Sequence, residues 1–180
     1  MLWCDCSEAI TLPPASDEII RRIEKMDNAG DFVPSAGVLP LLSSSAMREM
    51  RRHLYADPAK ESMGFLLGRA CYASMWQTVL VEIEIAVPVQ RVSSSRAHVS
   101  MMEESWPEVW KKVDQYPDRE LIGWFHSHPG HGVFLSAEDK KTQRLWFQLP
   151  WQIALVMDPV RDEYGVFAGA GGSPVKTLVL

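Results

Sequence analysis

The sequence predicts one α/β (α+β) domain, and two observations lead to this expectation. A chain of 180 residues with 47% hydrophobic content can bury one sizeable hydrophobic core, but it is too short to form two such cores comfortably. From Gly37 onward, runs of alternating apolar residues are separated by segments with helical spacing, which is typical of a sheet packed against helices. We therefore expect the domain at residues 37–180 and an N-terminal extension at residues 1–36.

The extension is predicted to contain one amphipathic helix. Pro13-Pro14 interrupts its start, and Ser16-Asp17-Glu18 is typical of an N-cap that opens a helix from Ile19 to Met26. Asn28-Ala29-Gly30 closes this helix. The apolar spacing favours packing of the helix against the domain, and a dedicated partner-binding arm is the alternative.

The domain is predicted to consist mainly of strands, with a helix after the first of them and another before the fourth. Apolar alternation bounded by turn residues marks the strands Gly37–Leu42, Glu61–Arg69, Thr78–Val87, Leu121–His126, Trp151–Met157, Tyr164–Ala168 and Val175–Leu180. These two helices are predicted at Ser43–Tyr55 and Ser105–Tyr116, and a further helix is predicted to open at the polar cluster Ser136–Asp139. Indoles bring large buried area, so the core or its edge is expected to contain Trp110, Trp146 and Trp151.

Composition argues against several classes of function. The net charge is -5, and Lys and Arg are scattered along the chain, which argues against nucleic acid as a partner. The three cysteines, Cys4, Cys6 and Cys71, are few and odd in number for a secreted disulfide framework, so a reducing, cytoplasmic location is expected. No segment resembles a signal peptide, and no run approaches the ~18 consecutive apolar residues of a membrane span.

Residues 124–139 contain three side chains of the right chemistry to bind one Zn²⁺. His126 and His128 are two apart at a predicted strand end, so their imidazoles face the same way, and Trp124 on that face is expected to wall the metal pocket. Pro129 then turns the chain. Asp139 lies in the first turn of a following helix, from which its carboxylate can complete a set of two nitrogens and one oxygen. Such a set leaves a fourth position for water, as catalytic zinc sites do.

Most of these residues also have a purely structural interpretation. Ser136-Ala137-Glu138-Asp139 is a plausible N-cap with an acidic first turn, and paired histidines at a strand end are often ordinary polar residues. His131 is a tempting fourth ligand, but a four-ligand site leaves no room for water, so we expect it in a loop or behind the ligands. His53 and His98 are expected at the surface without a role.

The complete string resembles the signature of a known family. His126-Ser127-His128-Pro129, followed by Ser136 and Asp139, is similar to the motif of the JAMM (MPN-plus, JAB-domain) zinc metalloproteases. The family pattern also has an upstream glutamate within a run like E-x-x-G-x-L-x-G, which Glu61-Ser62-Met63-Gly64-Phe65-Leu66-Leu67-Gly68 matches without a gap. The chain resembles small prokaryotic, deubiquitinase-like members more than large eukaryotic subunits.

This resemblance implies a fold, a cofactor and roles for the site residues. The fold would be the MPN/JAB fold, a central mixed and curved β-sheet flanked by helices, with a cytidine-deaminase-like architecture. Glu61 would act as general base and acid, and Ser136 would help to hold the water or stabilise the oxyanion. Taken alone, Glu61 could instead be a solvated residue paired with Lys60 or Arg69. One Zn²⁺ per chain, with an activated water, would be bound by His126, His128 and Asp139.

The resemblance also implies a substrate class. The chain would be an isopeptidase or peptidase that cleaves after the C-terminus of a ubiquitin-like protein, by deconjugation or by precursor processing, with an activating or dimerising partner left open. Ser93–Glu104 corresponds to the family insertion that pairs with the tail of the substrate. A bacterial ubiquitin-like conjugation system used in antiphage defence is one setting.

Two other functions stay open at this point. A sulfur-carrier-protein protease in cysteine or cofactor biosynthesis would have the same active site. A non-catalytic MPN scaffold is the alternative from another class, but such members lose the glutamate or a metal ligand, and this chain keeps all of them.

Overall fold

The fold is built on an eight-stranded mixed sheet with helices on both faces. The computed structural model describes residues 11–26, 37–89, 106–107 and 109–180. Within these ranges the helices are α1 (Asp17–Glu24), α2 (Ser44–Leu54) and α3 (Ala137–Trp146), and residues 106–107 and 109–113 form a further helical segment. The strands are β1 (Gly37–Leu42), β2 (Met63–Ala73), β3 (Thr78–Pro88), β4 (Glu120–Ser127), β5 (Ile153–Asp158), β6 (Glu163–Ala168), β7 (Ser173–Val175) and β8 (Leu178–Val179).

The sheet is strongly curled. Its strand order is β7-β6-β5-β4-β2-β3-β1-β8, with β1–β3, β1–β8 and β4–β5 parallel. β7 and β8 lie at opposite edges, yet only residues 176–177 separate them in the chain. That link spans at most about 11 Å, whereas the edges of a flat sheet of this size would be about 33 Å apart. The two edges must therefore approach each other, and β7 indeed lies near β1.

This closure corrects one predicted strand. Val175–Leu180 is not a continuous strand, because the chain leaves the ladder at residues 176–177 and pairs with β6 on one side of that link and with β1 on the other. The other predicted strands agree within two residues, apart from β2, which begins at Met63 rather than Glu61 and continues to Ala73. The mixed, curved sheet that the sequence predicts is confirmed.

Helix α2 covers one face of the sheet, and its ends are fixed by capping. The Ser43 hydroxyl accepts a hydrogen bond from the Ala46 N–H at 3.1 Å, which satisfies one N–H group of the first turn. Ala46, Met50 and Leu54 recur at four-residue spacing and are all buried in the cluster that contains Phe125. The predicted helix Ser43–Tyr55 is confirmed, since its two end residues are the caps.

The opposite face packs against α3 and the helical segment at 106–113. Phe65, Val109, Trp124 and Phe147 are buried there in one apolar cluster. Since side chains alternate along β4, Trp124 and His126 face this side and Phe125 faces α2. The predicted positions of the tryptophans are met in part: Trp151 is buried, Trp146 is half-buried, and Trp110 is 52% exposed and stacks on Trp106.

Helix α1 packs against the sheet at the end where β1 and β8 lie. Ile19 and Ile23 are buried in a cluster with Leu39, Leu80 and Leu178, and Ser16 is the N-cap. The predicted helix exists, but it begins and ends two residues earlier than expected, at Asp17 and Glu24. Within the described ranges, none of the helices has the length and apolar character needed to cross a membrane. Several features named from the sequence lie outside those ranges: Cys4, Cys6, Asn28-Ala29-Gly30, Ser93–Glu104 with His98, and Ser105.

Two glycines allow β2 to run between β3 and β4. Gly64 pairs with Phe125, and a Cβ atom at Gly64 would lie 2.4 Å from both the Phe125 ring and the Val87 carbonyl oxygen. A Cβ atom at Gly68, where the register shifts, would lie 1.7 Å from the Glu82 carbonyl oxygen. These close approaches set the register that places Met63 opposite His126.

Candidate metal centre and catalytic site

Neighbouring strands hold both histidines in place. His126 lies in the ladder between Met63 of β2 and Val156 of β5. His128 is just beyond the end of β4, and its N–H donates to the Met157 carbonyl at 2.8 Å. The two side chains are 0% and 4% exposed, and their Nε2 atoms are 3.1 Å apart. The backbone pairing therefore fixes the positions of both histidine Cα atoms, and the two rings bring their Nε2 atoms together.

Asp139 approaches the same point from the start of helix α3. It is the third residue of the helix and forms a capping box with Ser136: the Ser136 N–H donates to Asp139 Oδ2 at 2.8 Å, and the Asp139 N–H donates to Ser136 Oγ at 3.1 Å. The same Oδ2 is 3.4 Å from His126 Nε2 and 3.3 Å from His128 Nε2. The capping interpretation and the ligand interpretation are thus both compatible with this geometry.

The spacing of the three donor atoms fits a tetrahedral zinc site. Zinc bound to imidazole nitrogen and carboxylate oxygen at its usual bond lengths places neighbouring ligand atoms about 3.3 Å apart, and the observed separations are 3.1, 3.4 and 3.3 Å. All three side chains are buried and lie in one group of donor atoms. A group of two nitrogens and one oxygen leaves the fourth corner of the tetrahedron for water or substrate. The residues therefore fit a catalytic Zn²⁺.

Aromatic rings flank the two histidines. The indole of Trp124 stacks on the His126 ring, with centroids 4.4 Å apart and 10° between the planes. The sequence-based expectation that Trp124 walls the pocket is confirmed. On the other side, the Phe134 ring lies 4.8 Å from the His128 ring and is 45% exposed, so it offers an apolar surface beside the candidate site.

Glu61 lies in the segment just before β2 and is exposed. It does not belong to the group of donor atoms formed by the two histidines and Asp139. The Ser127 N–H donates to the Ser62 carbonyl at 3.0 Å, which continues the β2–β4 pairing beyond Met63. By the period-two alternation we expect the Glu61 side chain to start on the same sheet face as Met63 and His126.

The Ser127 hydroxyl fixes the backbone on both sides of Glu61. It accepts a hydrogen bond from the Ser62 N–H at 3.0 Å and donates to the Lys60 carbonyl at 3.5 Å. The alternative partners proposed for Glu61 have other contacts, since Lys60 forms an ion pair with Asp57 and Arg69 donates to the Asp118 carbonyl. The middle residue of the His-Ser-His run thus connects the histidine strand to the glutamate segment.

The sequence did not single out Asp158, which holds the loop after His128. Its buried carboxylate accepts hydrogen bonds from the N–H groups of Gly130 and Gly132, both at 2.8 Å, and from those of Val160 and Arg161. Burial alone raises the pKa of Asp158, but these four donors stabilise the charged form and hold the pKa at about 2. In the sequence, Asp158 stood out only as the residue that follows the predicted strand Trp151–Met157.

Two further histidines have clear positions. His131 is exposed in a turn, where its N–H donates to the His128 carbonyl at 3.1 Å, so the expectation of a loop residue is confirmed. The expectation that His53 is a surface residue is wrong. His53 is half-buried, its Nε2 lies 3.1 Å from the Met63 carbonyl oxygen, and burial lowers the pKa of its ring.

Residues 43–166 match the family described as prokaryotic homologs of the JAB domain. The chain belongs to this family. The matched range contains every residue of the candidate site, from Glu61 to Asp158. The resemblance drawn from the two motifs is therefore confirmed, together with the JAB/MPN fold.

Curated relatives and a solved structure agree with this assignment. The JAB domain is 31% identical over 122 residues to COP9 signalosome complex subunit 5 of Candida albicans, covering 67% of this chain and 20% of that protein. It is 30% identical over 126 residues to ubiquitin carboxyl-terminal hydrolase RPN11 of Saccharomyces cerevisiae, covering 69% and 40%. The solution structure of protein DSY2949 from Desulfitobacterium hafniense superimposes with a TM-score of 0.57 at 26% identity, covering 79% of this chain and 92% of that one. The chain spans less than half the length of the two curated relatives.

Proposed function

We propose that this JAB domain is a zinc-dependent isopeptidase or peptidase that cleaves the bond after the C-terminus of a ubiquitin-like protein. The observation that carries the proposal is the buried triangle of His126 Nε2, His128 Nε2 and Asp139 Oδ2, whose sides of 3.1 to 3.4 Å match a tetrahedral site with one open corner. The substrate class is supported by the similarity to the yeast ubiquitin carboxyl-terminal hydrolase.

The chemistry divides between the metal and the chain. A zinc ion bound there would act as a Lewis acid and lower the pKa of its water to about 7. Glu61 takes the proton from the attacking water and returns it to the leaving amine, so that the peptide C–N bond breaks with no net change in the proton count of the enzyme. The Ser136 hydroxyl accepts from the Asp139 N–H and can donate its own hydrogen to the developing oxyanion.

Two kinds of variant separate metal binding from proton transfer. His126→Ala or Asp139→Ala removes one of three ligands, and we expect each to lose the bound zinc, because two ligands rarely hold the ion against a chelator. Glu61→Gln keeps the ligands, and we expect it to keep about one zinc per chain while its turnover of a ubiquitin fusion falls by about 10² to 10⁴-fold. Elemental analysis and a cleavage assay measure the two effects.

Glu120→Gln is a matched control, because Glu120 is an exposed glutamate at the far end of β4. It should retain both zinc and turnover. Equal zinc content in the wild type and both ligand variants would contradict the metal centre, and full turnover by Glu61→Gln would remove Glu61 from the mechanism. Deconjugation in a bacterial antiphage system, and a cytoplasmic location, stay predictions from the sequence.

A further inference from the structure

A hydrogen bond between two buried side chains connects strand β4 to helix α3 behind the metal centre. The Trp124 indole Nε1–H donates to Gln143 Oε1 at 2.8 Å, and both side chains are 0% exposed. Gln143 lies four residues after Asp139, so the two side chains share one face of α3. The bond therefore joins the strand that carries His126 to the helix that carries Asp139.

Gln143 is held at its other end as well. Its Nε2 donates to the Gln152 carbonyl at 3.1 Å and to the Gly169 carbonyl at 3.3 Å, which lie at the adjoining ends of β5 and β6. Two carbonyl partners identify that end of the amide as the nitrogen and leave the oxygen for the indole. The amide is thus fixed in one orientation by three hydrogen bonds.

The stacking of the Trp124 indole on the His126 ring passes this fixed orientation on to a candidate metal ligand. A ligating histidine needs its ring plane fixed, and the usual device is a hydrogen bond to the second ring nitrogen. In this chain a flat indole lies against the His126 ring at 4.4 Å with only 10° between the planes. Rotation of the imidazole about its Cβ–Cγ bond would push an edge of the ring into the indole. The indole therefore restrains the direction in which His126 Nε2 points.

We propose that Gln143 is a positioning residue for the metal centre: it fixes the Trp124 indole, and the indole fixes the His126 ring relative to Asp139. This inference rests on the proposed function, since it concerns the same zinc site. Gln143 touches neither metal nor substrate in this scheme and acts only through Trp124. The expected consequence is a change in metal affinity and coordination geometry rather than a loss of the fold.

A double-mutant cycle tests the proposal. Gln143→Met keeps the length of the side chain and removes its hydrogen bonds, and Trp124→Phe keeps an aromatic ring and removes the indole N–H. Zn²⁺ affinity would be measured by chelator competition, and the d–d absorption spectrum of the Co²⁺-loaded protein would report the ligand geometry. We expect each single variant to lose about 10 to 100-fold in Zn²⁺ affinity and to change the Co²⁺ spectrum.

The double variant should lose no more than the larger single loss, because both changes break the same connection. Ser44→Ala is the control: the Ser44 hydroxyl also donates to a backbone carbonyl, that of Leu180 at 2.7 Å, but it lies at the start of α2 and takes no part in holding Gln143, so its zinc affinity should equal that of the wild type. Thermal unfolding of the metal-free proteins establishes that each variant is folded. If Gln143→Met does not fold, Trp124→Phe still gives the expected loss.

Three outcomes would overturn the inference: additive losses in the double variant, unchanged zinc affinity in either single variant, or an equal loss in Ser44→Ala. A wild-type protein that binds no zinc would instead refute the proposed function itself. The two failures are therefore distinguished by the wild-type measurement alone.

Discussion

At the scale of single residues, one buried carboxylate organises the loop that follows His128. Asp158 is 0% exposed and accepts four backbone hydrogen bonds, two of them from Gly130 and Gly132. Without this carboxylate, the N–H group of buried Gly132 would lose its acceptor. The loop between the second histidine and Ser136 is thus anchored to the end of β5.

We expect Asp158→Asn to lower the free energy of unfolding by about 2 to 3 kcal/mol at pH 7, because an amide is a weaker acceptor and brings an N–H group towards other donors. The folded pKa of about 2 lies below the ordinary value. The contribution of the charge is therefore complete above about pH 4 and is lost as the pH falls towards 2. Urea unfolding at pH 7 and pH 3 should show a smaller difference between variant and wild type at the lower pH.

Asp118→Asn serves as the control, because Asp118 is exposed, and its effect should stay within about 0.5 kcal/mol. A difference for Asp158→Asn that is the same at both pH values would mean that its charge is not what stabilises the loop.

The residue types of the site could be predicted from the sequence, but the residues that support them could not. The two-residue periodicity of a strand predicts that His126 and His128 share a face. The predicted start of a helix places Asp139 in its first turn. Asp158 and Gln143 contact the site only after β5 and α3 have packed beside β4, so no local pattern marks them. His53 was placed wrongly for the same reason, since its burial depends on the packing of α2 over Phe125.

At the scale of elements, the close packing of the central strand β2 against its neighbours positions the segment that contains Glu61. Its glycines meet neighbouring strands at distances that leave no room for a methyl group. Sequence periodicity predicts that β2 exists, but its extent depends on its two partners: β3 continues the pairing to Ala73, and the hydrogen bond from the Ser127 N–H to the Ser62 carbonyl extends it one residue before Met63. The motif glycines are therefore explained by the neighbours of β2 rather than by a turn.

We expect Gly64→Ala to destabilise the protein by about 1 to 3 kcal/mol, as overpacking of a core does. The Cβ atom would meet the Val87 carbonyl oxygen, which is backbone and cannot rotate away, as well as the Phe125 ring. Gly171→Ala is the matched control, because a Cβ atom there meets nothing within 4 Å. Denaturant unfolding measures both, and equal stability of the two variants would contradict the packing described for β2.

At the scale of the whole molecule, the candidate site lies at one end of a sheet whose face is shared by α3 and the segment at 106–113. The proposed substrate is a folded protein with an extended tail, and the sequence assigns its docking to Ser93–Glu104. That assignment stays a prediction, since the segment lies outside the described residues. Phe134, which is 45% exposed beside His128, offers an apolar surface next to the candidate metal centre.

We expect a ubiquitin-like fusion protein to be cleaved with a much higher kcat than a short peptide with the same tail sequence. Binding energy from the remote folded domain can align the carbonyl in the site, so a truncated substrate loses turnover as well as affinity. Steady-state kinetics on the two substrates, with an unrelated peptide as the control, measure the difference. Equal kcat values would indicate a general zinc peptidase.

The curled sheet also bears on the order in which the chain folds. The pairing of β1 with β8 joins Leu41 to Leu178, which are far apart in sequence. Such a contact costs loop-closure entropy, which the hairpins β2–β3 and β5–β6 largely avoid. We expect those hairpins to form early and the pairing of β1 with β8 to form late. Until β8 pairs, the outer edge of β1 would present backbone groups to which another copy could add a strand. We therefore expect the few residues of β8 to limit self-association of the folding chain as well as to complete the sheet.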